Sequence, residues 1–152
     1  MERLPSAEEQ KSSVKFTIGD FYAKGKDRLQ LTLLVGGAGL NGVIGEPMVN
    51  RPGLALTGFF EHFAFKRLQL IGKAETAYLQ SLGEEEALKR IDSLFERGAS
   101  TLIFTGGMQP TVKTLKLASE RGKVVFSSPL KTRVFSHHSA FILESLSAPS
   151  QI

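Results

Sequence analysis

Four short apolar runs, each closed by glycine or a small polar residue, constrain this chain more than any other feature. They are LQLTLLV (Leu29 to Val35), RLQLIG (Arg67 to Gly72), STLIFTG (Ser100 to Gly106) and KVVFSS (Lys123 to Ser128). Each has strand length, and near-uniform apolarity suits strands covered on both faces. Helical spacing fills the intervals. Ala74, Ala77 and Tyr78 predict a helix over 74–82. Ser81 and Glu84 make an S-x-x-E pair, which predicts a capping box opening a second helix. Its stripe is Ala87/Leu88, Ile91 and Leu94/Phe95, and Gly98 is placed to end it. A third helix is expected to open near Pro110, carry Val112, Leu115 and Ala118, and stop at Gly122. The last is expected to use Ser128 and Pro129 as N-cap and first residue. It would bury Leu130, Val134/Phe135, Phe141/Ile142 and Leu146.

Strands alternating with helices predict an α/β fold. The expected form is a small, mainly parallel sheet with helices on both faces and right-handed crossovers. One domain is expected over 14–147, after a flexible N-terminal tail at 1–13. Periodicity is lost at Pro149, so 148–152 read as the start of a linker.

Composition removes several function classes. The 152 residues contain no cysteine, which excludes disulfides, thiolate metal sites and cysteine nucleophiles. No apolar stretch approaches the roughly 20 residues of a membrane span, and MERLPSAEEQKSSVKF has no apolar signal region. A cytoplasmic protein without membrane attachment is the expectation. The net charge is +4, but Lys and Arg are scattered, so no nucleic-acid partner is expected. His137 and His138 are adjacent on a predicted helix and point in different directions. No metal site is therefore expected there.

GAGLNG (Gly37 to Gly42) follows the first strand and has the G-x-G-x-x-G pattern of dinucleotide-binding turns. That turn must open a helix whose free N–H groups face the pyrophosphate. Here VIGEPMV follows, and Gly45 and Pro47 break any helix within a turn. The glycines therefore read as a turn leaving the sheet. No G-x-x-x-x-G-K-[ST] phosphate loop is present, and no catalytic residue is identified.

The most distinctive stretch is VNRPGLALTGFFEHFAFKRLQLIGKAETAYLQSL. Asn50 is expected to cap a short helix containing Pro52 and loaded with Leu54, Leu56, Phe59, Phe60 and Phe63. Together with GAGLNGVI, IFTGGMQP and VVFSSPLKTRVFS, in that order and spacing, this stretch resembles the N-terminal domain of the HPr kinase/phosphorylase family. The Asn-Arg-Pro-Gly-Leu and Gly-Lys-x-Glu blocks are the specific parts. The resemblance spans about residues 14–149. It departs in lacking an arginine before Gly106 and Gly107 and an acidic residue near Asn41.

The resemblance implies a fold similar to the Mur ligase N-terminal domain. It also implies a regulatory or assembly role in bacterial carbohydrate control, including catabolite repression. ATP, magnesium and the chemistry on a serine of HPr would then belong to a separate phosphate-loop kinase domain, and no cofactor is expected in this chain. The implied partners are that kinase domain or other subunits, HPr indirectly, and a further copy in a homo-oligomer. The other reading is a free-standing module that binds a small ligand or docks through Phe59, Phe60, Phe63 or Phe65.

A small ligand would be sought at the strand ends Gly36-Gly37, Gly72-Lys73, Thr105-Gly106 and Ser127-Ser128, where open parallel sheets form crevices. Asn50, Arg51, Lys73, Glu75, Thr105 and Ser127 are the candidate ligand-binding residues, with Lys73 supplying charge to an anion.

Overall fold

The computed structural model describes residues 15–148. The expected tail at 1–13, and the expected linker beyond residue 148, lie outside the described residues. The elements run α1 (Ile18–Gly25), β1 (Thr32–Val35), a 3-10 helix (Gly37–Asn41), β2 (Val49–Asn50), α2 (Gly53–Leu56) and β3 (Leu68–Ile71). Then come α3 (Lys73–Leu82), α4 (Glu84–Glu96), β4 (Thr101–Phe104), α5 (Val112–Glu120), β5 (Val124–Ser127) and α6 (Thr132–Ser147).

The sheet order is β1-β5-β4-β3-β2. β2, β3, β4 and β5 are parallel, whereas β1 lies antiparallel against β5, so the sheet is mixed. The cause lies between β1 and β3. That segment carries no helix long enough to return the chain beside β1. The chain instead crosses to the far edge and enters the two-residue β2, too short to announce itself by alternation.

Side chains alternate across the inner strands and build a core on each face. Leu68, Leu70, Ile103, Val124 and Phe126 meet Phe21, Phe135 and Leu143 of α1 and α6. Ile71, Leu102, Phe104 and Val125 meet Leu56, Leu79, Ile91, Leu94 and Ala118 of α2 to α5. All four positions of β3, β4 and β5 are buried, which is why those runs are largely apolar, with Gln69, Thr101 and Ser127 the buried polar exceptions.

Several helix boundaries differ from expectation. α1 starts at a capping box that sequence reading passed over: Asp20 N donates to Thr17 Oγ1 (3.0 Å) and Thr17 N to Asp20 Oδ2 (2.8 Å). Ser81 caps nothing; its hydroxyl donates to Tyr78 O inside α3, and Gly83 precedes α4. α5 does open near Pro110 as expected, with Pro110 just before its cap Thr111, which accepts from Thr114 N. Ser128 is bound into the β5 exit, donating to Leu29 O and accepting from Leu130 N, so α6 starts only after Lys131. Val134 and Phe141 face solvent, while Phe135 and Ile142 enter the core.

Gly98 and Gly122 end α4 and α5 in the left-handed region, at φ of 109° and 68°, as their spacing predicts. α4 and α5 are also clamped by Arg121, whose Nε and Nη2 donate to Asp92 Oδ1 (2.9 Å) and Oδ2 (2.8 Å). The hydrogen bond to that carboxylate, with its charge, holds the guanidinium above the ordinary arginine range.

Candidate functional site

Because β2 to β5 are parallel, their C-terminal ends line one edge of the sheet, where open α/β sheets form ligand crevices. β1 points the other way, so Gly36-Gly37 lies at the opposite end. The expectation that it shares this edge is corrected by the antiparallel pairing.

Five of the six candidate residues stand around the exits of β2, β3 and β4. Arg51 Nη2 donates to Glu75 Oε1 (3.1 Å) and Oε2 (2.9 Å). Glu75 is 7% exposed, and its Oε1 also accepts from Gly72 N (2.8 Å) in the first turn of α3. Thr105 is fully buried and shares a hydrogen bond with Thr132 of α6, Oγ1 to Oγ1 at 2.6 Å. Gly72 sits at the centre. A Cβ there would run into Thr132 Oγ1 and come within 3.3 Å of both Glu75 Oε1 and Thr105 Oγ1. This is a close approach that only glycine permits.

The remaining candidates divide. Asn50 does not cap α2, which follows Pro52. Its Nδ2 donates to Gln69 Oε1 (2.8 Å), and Gln69 Nε2 donates to Ala64 O (2.8 Å) and Arg67 O (2.9 Å). Lys73 is exposed at the rim, its stem lying over Gly106 at 3.7 Å from where a Cβ would stand. Ser127 is buried at the end of β5 between Thr32 and Phe104 and joins none of these hydrogen bonds.

Sequence reasoning placed Gly72 at this strand end but missed Gln69 and Thr132. The amide inside the apolar run RLQLIG was the available signal for Gln69, since a buried amide must find partners. Nothing local marks Thr132, because its partner is 27 residues away.

At the exit of β4 the glycine N–H groups are taken up within the fold. Gly106 and Gly107 have φ of 70° and 77°, but Gly106 N donates to Leu130 O (2.7 Å) and Gly107 N to Ser128 O (3.2 Å). The GAGLNG turn forms only the 3-10 helix, and Gly39 packs so closely that a Cβ would lie 2.8 Å from Gly122 O. Gly39 is thus required by close packing against the end of α5. The described residues hold no cluster of three or more His, Cys, Asp or Glu fit for a metal ion.

The hub carries structural weight. Glu75→Ala is expected to lower stability by about 2 kcal/mol, because Gly72 N–H loses its acceptor in a buried place. Glu75→Gln keeps an oxygen for that N–H and is expected to cost about half as much. Urea unfolding reads both values. An alanine variant as stable as the parent would show that the carboxylate does not hold the turn.

A family profile described as HPr Serine kinase N terminus matches residues 17–143. The HPr kinase/phosphorylase of Leptospira biflexa is 42% identical over 123 residues, covering 81% of this chain and 38% of its own length. That of Geobacter sulfurreducens is 37% identical over 113 residues, covering 74% and 35%. That of Bacillus subtilis is 32% identical over 124 residues, covering 82% and 40%. This chain thus spans about two fifths of these relatives or less. Among solved structures, the CBS and DRTGG domains of the regulatory region of Clostridium perfringens pyrophosphatase, complexed with the activator diadenosine tetraphosphate, superpose with a TM-score of 0.56 at 19% identity. The superposition covers 98% of this chain and 54% of that one, and shows a shared fold.

Proposed function

The chain belongs to the family of HPr serine kinase N-terminal domains, and from that membership we propose that it is a non-catalytic regulatory or assembly domain of an HPr serine kinase/phosphorylase. It would act in the cytoplasm, in the control of bacterial carbohydrate use and catabolite repression. ATP, magnesium and transfer to HPr belong, on this reading, to the other part of such an enzyme. The Mur ligase N-terminal domain is proposed as a further relative of the fold.

The observation that carries this reading is the commitment of the polar groups at the sheet edge to one another. Arg51 and Glu75 tie the β2 exit to the start of α3, and Thr105 and Thr132 tie the β4 exit to α6, which is the chemistry of a scaffold. The assembly role is favoured over a free-standing small-ligand module by the neighbouring surface. Leu54 and Phe59 are 70% and 51% exposed and border a groove of about 250 Å³. Beside it Phe60 and Phe63 pack edge to face, with Arg97 stacked 4.3 Å over Phe60. Apolar side chains held outward in this way fit a contact with a kinase domain or another subunit.

The test is a graft. Residues 17–143 replace the matching part of the Leptospira biflexa relative, and light scattering and phosphorylation of HPr are followed together. The graft is expected to assemble as the parent does. With Leu54→Asp and Phe59→Asp added, assembly is expected to fail while the far-ultraviolet spectrum stays unchanged. A doubly charged graft that assembles normally removes the contact from this face.

A further inference from the structure

A second cavity lies beside the polar hub, on the other side of the α3 first turn. It is a half-open cleft of about 290 Å³ between α3, α4, α5 and the end of β4. None of the six candidate residues named from the sequence lines it. Its floor is Phe104, the last residue of β4, and its walls include Leu79, Ala87 and Ile91. Leu79, Ile91 and Phe104 are at most 7% exposed, so these apolar groups are fixed by the core behind them.

Thr76, Thr111 and Thr114 stand among the residues that line it. Thr76 Oγ1 is buried and has no hydrogen-bond partner among the described residues. An unsatisfied buried hydroxyl is a group that native structures rarely leave without a purpose. Thr114 is 4% exposed, and its Oγ1 accepts from Thr111 Oγ1 (3.0 Å), which leaves its own proton to donate. Of the lining residues only Glu84 carries a charge, and it pairs with Lys113 across α4 and α5 at 3.7 Å. No lining side chain is cationic, so nothing in the cleft holds a phosphate. The walls are braced at one end by that pair and at the other by Arg121 with Asp92.

We propose that this cleft is a binding site for a small, uncharged, amphipathic molecule, whose apolar body rests on Phe104, Leu79 and Ile91 and whose polar atom meets Thr76 and Thr114. Size supports the assignment. A cavity of about 150 Å³ accepts benzene, so this one has room for roughly a dozen non-hydrogen atoms. Position supports it too, since the cleft opens at the C-terminal end of β4, where α/β sheets take ligands. The site is independent of the assembly reading. It lies on different side chains from Leu54 and Phe59, and its test measures binding to this chain alone.

2-Naphthol serves as the probe, one hydroxyl on an apolar body of the required size, titrated against the uniformly ¹⁵N-labelled chain. Saturable amide shifts are expected at Thr76, Ala87, Ile91, Phe104 and Thr114, with a dissociation constant on the order of 0.1–1 mM. 2-Naphthyl phosphate is expected to bind at least about tenfold more weakly, because its charge finds no cation. Ala87→Met fills the cleft and is expected to abolish saturation. Thr76→Val removes the hydroxyl with almost no change of shape, so it keeps the fold even if the methionine does not. It is expected to weaken 2-naphthol about threefold or more and to raise the melting temperature of the free chain. The proposal is overturned if 2-naphthol gives no saturable shifts at these residues, if the phosphate binds as well, or if Thr76→Val binds it unchanged.

Discussion

Replacing Phe126 by alanine is expected to cost about 3–5 kcal/mol of stability, the range for emptying a buried aromatic site. Phe126 is fully buried on β5, a strand with partners on both sides. Its ring meets Phe21 edge to face at 6.3 Å and Tyr22 at 5.4 Å, joining the sheet to α1. Strand and helix are both pinned, so the site cannot collapse around the missing ring. Domains of this size are stable by roughly 5–15 kcal/mol, and the variant would stand near its unfolding midpoint at modest temperature. Urea unfolding measures the loss. Phe141→Ala is the control: its ring is 52% exposed, and a change within about 0.5 kcal/mol is expected. A loss below about 1 kcal/mol at Phe126 would mean that this face is not the core described.

Gln69→Leu is expected to cost about 3 kcal/mol, although leucine is apolar and similar in size. Gln69 is fully buried, and its amide serves three groups: Asn50 Nδ2, Ala64 O and Arg67 O. Leucine leaves the two carbonyls without their donor and the Asn50 amide without its acceptor. An unsatisfied buried group costs about 1–3 kcal/mol each, with the partly exposed Asn50 at the low end. The damage is local, because these bonds fasten β2 and the loop before β3. Hydrogen exchange should therefore quicken at residues 48–50 and 64–68 more than at β4 and β5. Uniform exchange, or a variant as stable as the parent, would show that the amide has no such role.

β3, β4 and β5 were legible because burial on both faces leaves a run of apolar residues that needs no context. Glycines ending α4 and α5 were legible for a similar reason, since positive φ at a helix end selects glycine locally. The antiparallel β1 was not, because pairing direction depends on where the chain travels between strands. β2 has two residues and no periodicity. The strand-end cluster was half legible. Arg51, Glu75 and Thr105 do meet at one place, and the Gly-Lys-x-Glu block pointed there. Thr132 did not show, because it acts across the fold, and Gln69 showed only as an amide inside an apolar run. The cleft beneath α3 and α4 left no motif, being made of ordinary core side chains whose packing is incomplete.

One measurement bears most directly on the claim that this fold is a scaffold and not a phosphoryl-transfer centre. The chain and the full-length Leptospira biflexa relative are incubated side by side with ATP, magnesium and HPr, and phosphoserine on HPr is quantified by mass spectrometry. The relative is expected to modify HPr, and this chain to leave it unmodified over the same period. Phosphoserine formed by this chain, and lost when Lys73 or Glu75 is replaced, would contradict the account and make the sheet edge a reactive site.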